Sequence, residues 1–123
     1  MLKQYSRLKV ADNTGAVELS IIGVLGYSKK RHIKIGDIVS ASVTKAASTS
    51  QIKKGEKVKA LIVRQAKEWR RDDGTYVRFD DNAAVILTDD LKDIRGTRIF
   101  GPIPREIRRT NYKKIISKAK ELI

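Results

Sequence analysis

Val39-Ser40-Ala41-Ser42-Val43-Thr44 alternates apolar and hydroxylated residues without a break. Period two puts Val39, Ala41 and Val43 on one face of a strand and the hydroxyls on the other. The pattern recurs on both sides of this stretch. Leu8 and Val10 oppose Arg7 and Lys9. Val17, Leu19, Ile21 and Leu25 follow one phase that Gly23 interrupts, and Val58, Ala60 and Ile62 oppose Lys57 and Lys59. Val77 and Phe79 lead into Ala83-Ala84-Val85-Ile86-Leu87, which reads as buried on both faces. About five short strands predict an all-β fold. A small closed five-stranded barrel is favoured over a sandwich, because so few strands cannot make two good sheets and closure removes exposed edges.

Turn chemistry separates the strands. Asp73-Gly74 is a hairpin signal between apolar flanks, and Asp12-Asn13-Thr14-Gly15 is a second turn. Ile33-Lys34-Ile35-Gly36-Asp37-Ile38-Val39 echoes Ile52-Lys53-Lys54-Gly55-Glu56-Lys57-Val58. The shared glycine predicts one turn geometry used twice, with positive φ feeding the next strand. Residues 44–54 form a small, polar, basic loop, expected to be mobile in the free protein. After residue 95 the pattern becomes irregular. Pro104 suits the first turn of a short helix through Arg109. Thr110 or Asn111 would cap a second, with Tyr112, Ile115, Ile116 and Ala119 as its apolar stripe. The expected organisation is one domain: a barrel over residues 1–95, and over 96–123 a loop with two short α-helices packed on it.

The chain has 123 residues, with 27 Lys and Arg against 14 Asp and Glu, a net charge of +13. That excess repels itself unless an anionic partner is bound. By segment the balance is +5 for residues 1–36, +4 for 37–68, −3 for 69–94 and +7 for 95–123. Charge spread over a folded body predicts a polyanion gripped on more than one side. Cysteine is absent, which excludes disulfides and thiolate catalysis. No window approaches the roughly 20 apolar residues of a membrane span, and no signal core opens the chain. These features predict a soluble, cytoplasm-type protein with no membrane association.

Little points to catalysis. Asp72-Asp73, Asp80-Asp81 and Asp89-Asp90 read as turns and strand ends, where Asp bonds its own backbone. His32 is the only histidine, so no histidine cluster can hold a metal, and no cofactor fingerprint occurs. The chain is read as a non-enzyme without cofactor or metal. Its candidate binding groups are basic: Arg7, Lys9, Lys29, Lys30, Arg31, Lys53, Lys54, Arg70, Arg71 and Arg78, together with the arginine-rich segment from Arg95 to Arg109. Aromatics are sparse. Tyr76 and Phe79 differ in strand phase and make no joint stacking platform, and Trp69 is expected to pack against the hairpin. Structured RNA read by shape and backbone fits this composition better than base reading.

Three separated motifs carry a resemblance. Arg7-Leu8-Lys9-Val10-Ala11-Asp12-Asn13-Thr14-Gly15-Ala16 is the first. The second runs from Arg70 through Asp73-Gly74-Thr75-Tyr76-Val77-Arg78-Phe79-Asp80 to Val85. The third is Gly96-Thr97-Arg98-Ile99-Phe100-Gly101-Pro102 with Arg105-Glu106, and Lys114-Ile115-Ile116-Ser117 follows. In this order they resemble the family of large-subunit ribosomal proteins numbered fourteen, in its bacterial form. The resemblance implies a five-stranded barrel with a loop-and-helix C-terminal part and direct binding to large-subunit rRNA. It also implies a place on the face that meets small-subunit rRNA, beside neighbouring ribosomal proteins that include the one numbered nineteen. It puts Thr97, Arg98 and Lys114 on the exposed part of that face, where a ribosome-silencing factor docks in many bacteria and organelles and blocks subunit joining. Arg108 and Lys113 join that group here. Asp72 stands where many members have proline, and Trp69 replaces a small residue. The family's proline near the end is missing, so a longer last helix is expected. The reading that follows is a structural constituent of the large subunit, in the cytoplasm or in an organelle's stroma or matrix. The alternative is a free barrel-type single-strand nucleic-acid binder.

Overall fold

The alternating segments form strands, and the strands close on themselves. The computed structural model describes residues 2, 6–25, 33–109, 114–119 and 122–123. Strands β1 (Arg7–Val10), β2 (Ala16–Val24), β3 (Ile38–Ala46), β4 (Lys57–Arg64) and β7 (Ala83–Ile86) make a closed barrel in the order β1-β2-β3-β4-β7. The hairpin predicted at Asp73-Gly74 forms outside the barrel as a two-stranded ribbon, β5 (Trp69–Arg70) with β6 (Tyr76–Val77). Gly74 at its tip has φ +88. The phase break at Gly23 is a register shift between β2 and β3.

The repeated Ile-Lys-x-Gly-acid segments are one turn built twice. Asp37 N–H donates to the Lys34 carbonyl and Glu56 N–H to the Lys53 carbonyl. Gly36 and Gly55 sit at the third turn position with φ +91 and +89. That is type II geometry, which needs positive φ there. Each acid also accepts from the turn's first N–H, Asp37 Oδ2 from Lys34 and Glu56 Oε2 from Lys53.

Two cores share the barrel wall. The interior holds Leu8, Leu19, Ile21, Val39, Ala41, Val43, Val58, Ala60, Ile62, Ala84 and Ile86, with Leu2 and Ile33 packed among them. The second core lies outside the wall, on the opposite face of β4 and β7. There Leu61, Val63, Ala83 and Val85 are covered by Ile94, Ile99, Ile103, Ile107 and Ile115. Residues 83–87 are therefore buried on both faces, as their unbroken apolar run predicts.

Two local expectations change. Of the two short α-helices expected, the first is a 3₁₀ turn, Arg105–Arg109, whose Ile107 N–H reaches back to the Pro104 carbonyl. The second is described as an α-helix over Lys114–Lys118 only. It ends at Lys118, and the next residue is held in a bridge. Ala119 bridges Ile99 and Leu122 bridges Ile103, both parallel. The loop between β3 and β4 is tied at its centre. Buried Ser50 donates to the Thr14 carbonyl and accepts from Ile52 N–H, and Ile52 is itself buried. The caps expected at Thr110 and Asn111, and Tyr112, lie outside the described residues.

Barrel closure rests on a short parallel pairing of β1 with β7, Lys9 opposite Ala83 and Val10 opposite Ala84. Lys9 N–H donates to the Asn82 carbonyl and Ala11 N–H to the Ala84 carbonyl. Where β1 ends, the Asp12 side chain continues the ladder. Its Oδ2 accepts from Ile86 N–H at 2.8 Å, while Oδ1 accepts from the Thr14 hydroxyl and N–H. Asp12 is 4% exposed, so no solvent substitutes for it. Asp12→Ala leaves the buried Ile86 N–H without an acceptor, at a cost of about 2–3 kcal/mol. Denaturant unfolding should show that loss, and Asp12→Asn, which keeps one oxygen, should lose less.

Candidate nucleic-acid interface

The barrel wall away from the second core presents polar side chains. Arg7 and Lys9 point outward from β1 because their neighbours Leu8 and Val10 turn inward or partly so. Both are exposed, at 66% and 72% of the side chain, and both have a carboxylate nearby. Arg7 Nη1 donates to Glu18 Oε1 at 2.6 Å, and Lys9 Nζ lies 3.8 Å from Asp81 Oδ2. Glu18 also accepts from the Thr44 hydroxyl at 3.0 Å and has Lys45 Nζ at 3.7 Å. The Arg7 and Thr44 hydrogen bonds hold its carboxyl below the usual carboxylate range, against the opposing effect of burial. Lys53 and Lys54 lie exposed on the second of the twin turns. Lys29, Lys30, Arg31 and His32 lie outside the described residues.

The ribbon separates two arginines that are adjacent in sequence. Arg70 is exposed and stands opposite Tyr76, which is 65% exposed. Arg71 points the other way. Its Nε and Nη2 grip the Glu106 carboxylate at 2.6 and 3.2 Å, and Nη2 also donates to the Ile123 carbonyl at 2.7 Å. Its side chain is 11% exposed. Alternation puts the two on opposite sides of the ribbon, and the packing of the ribbon against the C-terminal segment makes Arg71's side the inner one. Arg71 thus ties ribbon, 3₁₀ turn and chain end together, with its Nε and Nη2 donors engaged within the protein. Trp69 sits on the same inner side, half-buried, with Phe79 at 5.8 Å between ring centroids and the Arg71 guanidinium at 6.0 Å. Phe79 is buried and Tyr76 exposed, so the two aromatics present no joint platform. Arg78 is exposed.

The third motif is fastened to the first. Asn13 Oδ1 accepts from Thr97 N–H at 2.8 Å and Arg98 N–H at 3.2 Å, and Asn13 Nδ2 donates to the Thr97 hydroxyl at 2.7 Å. Gly96 is needed beneath them, since a Cβ there would stand 2.8 Å from Asn13 Oδ1. Thr97 and Arg98 are exposed on this fixed backbone, beside Phe100 at 55% exposure. With Ser117 and Lys118 they line an open groove of about 550 Å³. Arg108 belongs to the 3₁₀ turn and Lys114 opens the α-helix, while Lys113 lies outside the described residues.

Two residues central to this arrangement were not singled out from sequence. Asn13 was read only as a turn residue. Arg64 is the other, and an arginine closing the apolar run from Ala60 to Val63 is a sequence signal for a buried partner. Its side chain is 10% exposed, with Nε 3.0 Å from Asp81 Oδ1. That contact is an ion pair out of line for a hydrogen bond, and among the described residues Nε has no aligned acceptor. Nη1 donates to the Phe100 carbonyl at 2.9 Å. Gly101, at φ +83, makes room for it, because a Cβ would lie 1.9 Å from Nη1. The acidic pairs divide between local turns and long-range ion pairs, Asp81 with Arg64 and Lys9 among the latter. Asp73 and Asp90 accept from neighbouring threonines, and Asp73 and Asp93 stand near Arg105 and Lys118. The arrangement offers exposed cations on a rigid frame and can hold a polyanion by its backbone.

The Arg71–Glu106 pair makes stability depend on pH. Burial is the largest single influence and works to raise the Glu106 carboxyl, but the Arg71 hydrogen bonds and charge, its own backbone N–H and Trp69 together outweigh it, and the net shift is downward. A carboxyl lowered by folding contributes stability that is complete above its unfolded-chain value and drains as pH falls through its folded value. Glu106→Gln should therefore cost about 2 kcal/mol near neutrality, with the gap to wild type closing in acid. Urea unfolding across that range measures it.

The family described as Ribosomal protein L14p/L23e matches the chain over residues 1–123.

Proposed function

The chain belongs to the L14p/L23e family of ribosomal proteins, and from that premise we propose how its surfaces divide the work. Membership makes it a structural component of the large ribosomal subunit in translation. In our reading the barrel body, residues 1–95, binds large-subunit rRNA directly through Arg7, Lys9, Lys53, Lys54, Arg70 and Arg78, with Lys29, Lys30 and Arg31 joining them. Arg71 contributes by holding the ribbon in place. The appendage, residues 96–123, serves the subunit interface through Thr97, Arg98, Arg108, Lys113 and Lys114. There it meets small-subunit rRNA, and neighbouring proteins, including the one numbered nineteen, pack beside it. The same face receives a ribosome-silencing factor where one is made. The ribosome's compartment, cytoplasm or organelle matrix or stroma, is the protein's own.

The observation that carries the reading is a surplus of +13 displayed on a closed barrel within this family. Arginine and lysine held outward on strands and tight turns neutralise phosphates without large ordering costs. Support for the interface role is the Asn13 clamp, which presents Thr97 and Arg98 on fixed backbone.

Low-salt gradients of the source lysate should carry the protein with large subunits, and its absence there sinks the assignment. Binding to large-subunit rRNA should weaken steeply with salt. Lys53→Ala with Lys54→Ala should flatten the log–log slope by about 0.7–0.9 per lost contact. Arg98→Ala should lose capture of a silencing factor that Arg78→Ala retains.

A further inference from the structure

The outward side chains of β1 to β4 fall into rows set by the strand register. Arg7 is opposite Ser20, Ser20 opposite Ser42, and Ser42 opposite Lys57. Three interstrand steps of about 4.8 Å make this row roughly 14 Å long. Beside it Lys9 is opposite Glu18 and Glu18 opposite Lys45, and further along Ser40 is opposite Lys59. Cations thus stand at both ends of a row whose centre is two small hydroxyls. Neither the Ser20 nor the Ser42 hydroxyl has a hydrogen-bond partner among the described residues. The second core occupies the other flank of the barrel and leaves this face open. No aromatic side chain stands on these outward positions, so the face suits a sugar–phosphate backbone and not stacked bases.

One carboxylate interrupts the face. Glu18 is gathered by Arg7, the Thr44 hydroxyl and Lys45. Two cations and a hydroxyl around a pair of oxygens is also the donor set that a phosphodiester takes. Arg7 and Lys45 are 66% and 67% exposed, so an incoming anion can reach both, while Glu18 is 22% exposed beneath them.

We propose that the outward face of β1–β4 is a cradle for an RNA backbone, in which Glu18 occupies the place of a phosphate until RNA displaces it. This rests on the rRNA-binding reading above and adds to it Ser20, Ser42, Lys45 and Lys57 as contacts and Glu18 as an internal competitor. Glu18 lowers affinity for short or sparse polyanions and keeps Arg7 and Lys45 extended and ordered for a longer one.

The full-length protein and its Glu18→Gln and Lys57→Ala variants, each checked by thermal melting, are titrated with transcribed large-subunit rRNA over a range of KCl. Glu18→Gln should bind severalfold tighter, with a log–log salt slope steeper by up to one contact, about 0.7–0.9. Lys57→Ala, at an exposed site, should bind more weakly with a slope shallower by the same amount. Glu18→Gln binding at or below wild-type affinity, whatever its melting temperature, overturns the competitor role. Wild-type affinity and slope in Lys57→Ala overturn the cradle, while the rRNA reading stands. Failure of the wild type to bind that rRNA at all removes the functional reading itself.

Discussion

The seam between β1 and β7 is the constraint on which the remaining structure depends. Two residues of parallel pairing are a weak closure, and parallel ladders are the less stable kind. A side chain completes it: Asp12 stands where the next backbone acceptor would be and takes the Ile86 N–H. The same corner receives the C-terminal segment. Asp12 bridges Ile99, Phe100 N–H donates to the Ala11 carbonyl, and Asn13 fastens Thr97 and Arg98. Closing the barrel and seating the appendage are therefore coupled through neighbouring residues. The second core needs the appendage in place, since one half comes from β4 and β7 and the other from residues 94–115, and Ala11 of the same corner is among its members.

A chain with this much positive charge must also hold itself together. It does so by placing a few acids where they face inward cations. Asp81 meets Arg64, Glu106 meets Arg71, and Asp93 meets Lys118. These pairs join parts distant in sequence, and two of them involve nearly buried arginines, where removing one partner costs most. The division between internal and external arginine is thereby sharp. Arg64 and Arg71 organise the frame, and Arg7, Arg70, Arg78 and Arg98 are displayed on it. Glycine permits the closest of these contacts, at Gly101 against Arg64 and Gly96 against Asn13.

Much of this was legible in the sequence, for a physical reason. Strand alternation, the Asp73-Gly74 hairpin and the twin turns at Gly36 and Gly55 depend on steric preferences that act over a few residues. Those elements appear where the pattern puts them. The C-terminal segment is less legible, because where its short helix ends depends on Ala119 bridging Ile99, some twenty residues earlier in the chain. The missing proline there carries no information about length once that bridge is available.

From the sequence alone came the barrel's strands and turns, the double burial of residues 83–87 and the surplus of charge, since each is a property of local order or of composition. Only the tertiary structure decided which cations are available. Arg70 and Arg71 are neighbours of identical chemistry, yet one faces water and the other holds Glu106 and Ile123. Only it, too, set Glu18 between Arg7 and Lys45 and aligned Arg7, Ser20, Ser42 and Lys57 across four strands. These relations depend on strand register and on contacts between residues far apart in the chain, and no local pattern encodes them.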